Sequence, residues 1–195
     1  MLSLQQFLLF LPGLVAGLTI HEFSHAYSAK LLGDSSSARM GRLSLNPFSH
    51  LTPLGLIALY FLGFGWAKPV MINVYNFKKP KLYYLLSSLA GPAANMILAG
   101  LCILVLNFIP LGYIAIRVLL FATYINVILA VINLLPVPPL DGSKIWPVLF
   151  PGLRIAAKGS STIIWIVILF AALRFGLLNR FLNGVITFVN SLIFI

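Results

Sequence analysis

Two histidines four positions apart, the first followed directly by a glutamate, sit inside a long apolar run near the N-terminus: His21-Glu22-Phe23-Ser24-His25. No other feature limits so tightly what this chain can fold into. Residues four apart share one face of a helix. His21 and His25 can therefore offer two imidazole nitrogens to one Zn²⁺, with Glu22 beside a water at that metal. Histidines also fall four apart on ordinary helices by coincidence. Here the setting argues otherwise. Apart from this motif, and from Lys30 near its end, the stretch Leu2 to Leu32 is apolar but for a few hydroxyl and amide residues. An ionisable side chain in such a span is costly and usually functional. Three within five positions favour chemistry over chance.

The whole chain has the same character. Hydrophobic residues make up 61%, charged residues only 8%, and the mean hydropathy is +1.04. Soluble domains are about 45–50% apolar and about 25% charged, so this is a polytopic membrane protein. The net charge of +10 comes from 13 basic residues scattered singly between apolar runs. That scatter excludes nucleic acid as a partner and fits the cytosolic flanks of membrane spans. The acidic residues are Glu22, Asp34 and Asp141. Cys102, the single cysteine, makes no intrachain disulfide and reads as a small buried hydrophobe. The N-terminus lacks the basic region of a secretory signal, so the first span is expected to be retained. No soluble domain, repeat or low-complexity stretch is visible. One integral-membrane domain is expected over 1–195, with a core at 4–150 and C-terminal helices at 155–195.

Taken in order, Leu4 to Leu32 is long enough to cross, at about 43 Å, with Pro12 and Gly13 as candidate kink residues. No positive charge precedes it, whereas Lys30, Arg39 and Arg42 accompany or follow its end. The N-terminus is therefore expected outside, with His21 about 25 Å inwards, in the cytosolic third. His50, in the polar connector Leu43 to His50, reads as a surface hydrogen-bonding residue rather than a third ligand or a gate. Leu51 to Trp66 is short for a span. The stretch from Trp66 to Tyr75 alternates weakly and carries β-branched residues, so it suggests a short strand or hairpin. Lys78, Lys79 and Lys81 follow it, which favours a re-entrant or interfacial segment returning to the cytosolic side. Leu82 to Ile109 runs outwards and contains Gly91-Pro92-Ala93-Ala94-Asn95. Its small residues permit close helix approach, and Asn95 bonds either a neighbouring helix or a substrate.

Tyr113 to Leu135 returns inwards and ends in Asn133-Leu134-Leu135-Pro136-Val137-Pro138-Pro139-Leu140-Asp141-Gly142. The prolines break the helix, so Asp141 stands on irregular backbone at the depth of His21 and His25. It can complete a His₂Asp set with the fourth position left for water, although Asp-Gly is also a common turn pair. Ser160 to Leu173 is expected to run outwards to Arg174 and Arg180. Phe181 to Ile195 is either a last span facing the bundle or an interfacial helix. On this topology every basic residue except Arg117, Arg174 and Arg180 is cytosolic. The expected fold is an all-α polytopic bundle of about 4–6 transmembrane helices, with a short re-entrant or β-hairpin segment near residues 66–76.

His-Glu-Phe-Ser-His in a first span, Gly-Pro-Ala-Ala-Asn in a middle span and Asn-Leu-Leu-Pro-Val-Pro-Pro-Leu-Asp-Gly after the next resemble the site-2 protease family of intramembrane zinc metalloproteases. The connector Leu-Asn-Pro-Phe-Ser-His-Leu-Thr-Pro-Leu-Gly and the later Gly-Trp-Ala-Lys-Pro-Val are similar to its compact prokaryotic branch. The likeness covers roughly residues 10–150, and the motifs in this order are specific. It implies one Zn²⁺ held by His21, His25 and Asp141, Glu22 as catalytic base, and Asn95 and Asn133 near the substrate strand. Larger members carry PDZ or CBS modules that are not seen in this sequence. Thr52 stands where an acidic residue is frequent.

The expected function is hydrolysis of peptide bonds within or near transmembrane segments of membrane-protein substrates, in a prokaryotic cell membrane, from a site towards the cytosol. Partners are the substrate and the lipid bilayer. A zinc carrier or channel would also bury these ligands, but it leaves Glu22 and the strand-like segment without work. A non-catalytic scaffold with structural zinc does not account for an intact Glu22.

Overall fold

The computed structural model describes residues 3–62, 68, 70–153 and 160–194, and every regular element among them is helical. Helix α1 spans Leu4–Leu31. It starts on a capping box, in which Ser3 Oγ accepts from Gln6 N–H at 3.2 Å and Gln6 Oε1 accepts from Ser3 N–H at 3.0 Å. It stops at Gly33, whose φ of 113° only glycine adopts without strain. A short α2 (Ser36–Arg39) and a 3₁₀ turn (Pro47–Ser49) lead to α3 (Pro53–Leu62). A second 3₁₀ turn (Val74–Asn76) precedes α4 (Pro80–Phe108), and α5 (Tyr113–Asn133) returns beside it. Then come α6 (Gly142–Leu149), α7 (Ser160–Arg174) and α8 (Asn179–Ser191).

Three helices, α1, α4 and α5, are long and apolar enough to cross a membrane. They pack on one another pairwise and form the body of the molecule. Small residues set the approach. A Cβ on Gly13 of α1 would lie 2.5 Å from Ala122 Cα of α5, so the two backbones run nearly in contact. Three candidate spans stand among the described residues, against the four to six expected. Within the described residues α3 has ten residues, about 15 Å, and α7 and α8 have 15 and 13.

After α3 the chain comes back to the point where it left. Tyr60 on α3 meets Phe7 near the start of α1, ring centroids 4.8 Å apart. Yet Lys68 N–H donates to His50 O at 2.6 Å, so the chain leaves and re-enters at one place. The hairpin expectation is corrected. Trp66 and Ala67 lie outside the described residues, and 70–76 form no strand. Paired backbone of β type is confined, among the described residues, to an isolated bridge at Leu51. The β-branched alternation is overridden because side chains take the backbone groups: Asn73 N–H goes to Asp34 Oδ2 at 2.7 Å, and Ser37 Oγ donates to Met71 O. His50 is not on the surface either. It is fully buried, with Nε2 on Ser44 O at 2.7 Å, closing the connector on itself.

Helix α8 docks on the bundle through Val189, which packs with Ala99 and Val127. Its C-terminal end lies at that of α4, where Asn107 Nδ2 donates to Leu192 O at 2.9 Å. The helix therefore runs alongside α4 in the same direction. Arg180, near its start, lines a cavity together with Met96 of α4.

Candidate metal centre

Helix α1 turns one face towards α4 and α5, and His21 and His25 lie on it, each 4% exposed. Asp141 arrives from elsewhere. The proline-rich stretch after α5 ends the helix, and Asp141 opens α6, which Trp146 ties back by donating Nε1–H to Leu134 O at 2.7 Å. The carboxylate is 5% exposed. Its Oδ2 lies 3.1 Å from His21 Nε2 and 2.9 Å from His25 Nε2, and the two Nε2 atoms are 3.1 Å apart. These three residues form a group able to hold a metal ion.

The outer hydrogen bonds decide which atoms carry protons. His25 Nδ1 faces Ser87 O at 2.7 Å, and a backbone carbonyl only accepts, so Nδ1 carries the hydrogen. His21 Nδ1 faces Asn95 Oδ1 at 2.6 Å. The orientation of that amide is fixed in turn, because Asn95 Nδ2 donates to Gly17 O at 3.1 Å and to Asn126 Oδ1 at 2.7 Å. Both imidazoles thus direct Nε2 lone pairs inwards. Lys144 takes the other carboxylate oxygen, with Nζ 2.7 Å from Asp141 Oδ1. Three lone-pair atoms then face one another about 3 Å apart with no proton between neutral rings. With both rings neutral, such a set attracts a cation. Ligand atoms about 2.0–2.1 Å from a tetrahedral zinc have separations of this order, so the residues fit the ion.

Helix α4 packs directly on the two rings. A Cβ on Gly91 of α4 would overlap His25 Nε2 and lie 2.7 Å from His21 Nε2. Glu22, half-buried on the same helix, accepts the Val70 N–H at Oε2 over 3.2 Å, so the segment expected to be a strand does reach the motif. Asn95 is fully buried, and its carbonyl and both N–H groups are engaged, which makes it a support for His21. Asn133 stays with its own helix, donating to Leu129 O at 2.9 Å.

Three participants escape a reading of the sequence. Asn126, fully buried on α5, links Asn95 to Ala122 O at 2.8 Å and Gly13 O at 3.4 Å. An amide in an apolar span was the available signal. Lys144 reads as one more cytosolic charge, and the Ser87 carbonyl has no signature at all.

Residues 111–175 match the profile of peptidase family M50. The chain is 42% identical over 150 residues to the provisionally named zinc metalloprotease YwhC of Bacillus subtilis, across 71% of this chain and 67% of that one. It is 31% identical over 198 residues to Rip2 of Mycobacterium tuberculosis, which bears the same provisional designation, across 95% of this chain and 74% of the relative. A likeness of 28% over 144 residues extends to MJ0611 of Methanocaldococcus jannaschii, covering 73% and 71%. No solved structure matches the chain.

Proposed function

This chain belongs to peptidase family M50 and is a zinc metalloprotease, and from that premise we propose that it cuts within or near the transmembrane segments of other membrane proteins. We assign His21, His25 and Asp141 as the zinc ligands and Glu22 as the general base. The observation that carries this reading is the inward convergence of three lone-pair atoms whose outward faces are all hydrogen-bonded, one residue from a carboxylate.

His21, His25 and Asp141 would hold the zinc, which would supply Lewis acidity to a water and to the scissile carbonyl, bringing the water's pKa towards about 7. Glu22 accepts the water proton and passes it to the leaving amine. The Val70 N–H holds Oε2, which leaves Oε1 for the proton. Asn95 and Ser87 O keep the two rings in the tautomer the site requires.

A substrate helix must unwind to be cut, since its own amides are internally bonded. Ile72 offers the place to hold it extended. Its N–H and C=O have no partner among the described residues, whereas Val70 and Asn73 donate, and Met71 accepts, elsewhere. An extended segment can add there by main-chain pairing. The site opens to the cytosol and the N-terminus lies outside, on the distribution of basic residues. The 1–195 stretch acts as one domain.

Glu22→Gln tests the reading. Glutamine keeps the shape but takes no proton, so the variant should retain its zinc and lose cleavage of a membrane-embedded peptide by at least about 100-fold. Near wild-type turnover with zinc bound would remove Glu22 from the mechanism.

A further inference from the structure

The helix that carries His21, Glu22 and His25 ends in a turn that reaches the segment 70–76. Gly33 N–H donates to Lys30 O at 3.1 Å and Asp34 N–H to Ala29 O at 2.8 Å, the paired bonds of a Schellman cap. Asp34 is thereby fixed to α1, and it is fully buried. Its Oδ2 accepts from Asn73 N–H at 2.7 Å. Its Oδ1 accepts from Asn76 Nδ2 at 2.7 Å and from Ser36 N–H at 3.0 Å. Three residues on, the buried Ser37 hydroxyl donates to Met71 O. Gly33 keeps the two stretches close, since a Cβ there would lie 3.3 Å from Asn76 O.

These ties fall on one edge of the segment. In extended backbone the main-chain groups of successive residues point to opposite sides, and Asn73 is extended, at φ −98° and ψ 103°. Met71 O and Asn73 N–H, two residues apart, both meet the turn after α1. Val70 and Ile72 then share the other side, where Val70 N–H reaches Glu22 Oε2 at 3.2 Å. The main-chain groups of Ile72, unpartnered among the described residues, stand about 7 Å further along that edge. A tie that only steadied a loop could fall on any of its groups. These two fall on alternate residues and leave one edge turned to Glu22.

We propose that Asp34 is a positioning residue for peptide hydrolysis: with Ser37 it holds the segment 70–73 so that the Val70–Ile72 edge receives the substrate main chain beside Glu22. The inference rests on the peptidase reading above, in which Glu22 is the base. The ligand of this edge is an extended stretch of peptide backbone, paired through its N–H and C=O whatever its side chains. Such pairing is made in the bound substrate and in the transition state alike. Loosening the clamp therefore raises KM and leaves kcat nearly unchanged.

The test uses the full chain in micelles and a fluorogenic peptide containing one transmembrane segment. Asp34→Asn should raise KM by about tenfold, with kcat within about twofold and zinc content unchanged. Ser37→Ala should raise KM by about threefold. A fall in kcat at constant KM in Asp34→Asn is the mark of a smaller folded population, and it overturns the proposal. If Asp34→Asn does not fold, Ser37→Ala decides, and an unchanged KM there overturns the proposal as well. Binding of the same peptide, read by fluorescence anisotropy, gives an arm without turnover. On a Glu22→Gln background, adding Asp34→Asn should weaken binding about tenfold, and equal affinity overturns the clamp. Cleavage that persists in Glu22→Gln sinks the peptidase assignment instead, so the two failures are told apart.

Discussion

Asn95 Oδ1 on α4 lies 2.6 Å from His21 Nδ1 on α1, and the nitrogen of the same amide reaches Gly17 O and Asn126 Oδ1. One side chain thus joins all three crossing helices and orients a metal-facing ring. Asn95→Ala should weaken zinc binding by about 10–100-fold without removing a ligand. Competition with a fluorescent chelator measures this. Unchanged affinity would show that α1 alone holds the ring.

Gly91 permits α4 to lie against both imidazoles. Gly91→Ala should lower zinc content steeply while far-ultraviolet circular dichroism stays helical. Gly100→Ala on the same helix, with open space at its Cβ, should keep full zinc and gain up to about 1 kcal/mol of helix stability. Equal zinc in both variants would refute the close-packing argument.

Asp34 is fully buried just beyond α1 and accepts from Ser36 N–H, Asn73 N–H and Asn76 Nδ2. Burial alone would raise its pKa, but the hydrogen bonds from Ser36, Asn76 and Asn73 outweigh it and hold the carboxyl below its ordinary value. The folded pKa is therefore the lower one, so the stabilisation is present above the unfolded value near 3.9. It disappears as pH falls through the folded value. Asp34→Asn should destabilise by about 1–3 kcal/mol at pH 7, with the gap to wild type narrowing below about pH 4. Thermal unfolding at both pH values decides it. A gap independent of pH would rule out the carboxylate as its source.

Ile72→Pro removes an N–H that the segment 70–76 offers to an extended substrate. We expect slower cleavage of a membrane peptide with zinc content unchanged. Full activity in folded protein would dispose of main-chain pairing at this position.

Cysteines placed at Ser36 and Ser143, after Cys102→Ser, report which side the site faces. An impermeant maleimide added to intact cells should miss both and label them only after lysis. Labelling of either from outside would invert the topology.

The sequence announces those parts of the site whose residue type alone is costly in an apolar span. His21 and His25 are legible because of their spacing, and Asp141 because prolines strip its backbone of helical partners. Supports are legible only when their neighbours are known. Asn126 carries the same signal as Asn95 but no motif around it. Lys144 meets Asp141 only because α6 begins between them, at Gly142. The segment 70–76 alternates like a strand, yet Asp34 and Ser37, more than thirty positions earlier, take its backbone groups.

The bond from Lys144 Nζ to Asp141 Oδ1 leaves the carboxylate a single oxygen to give. That sets denticity, and denticity sorts metals. Calcium seeks six to eight oxygens and magnesium a near-octahedral oxygen shell, neither of which two imidazoles and one oxygen supply. Against borderline ions the discrimination reverses, because copper, by the Irving–Williams order, binds such a set more strongly than zinc. The pocket rejects the abundant hard cations by itself, and the choice among transition metals falls to the supply in the compartment where the protein folds.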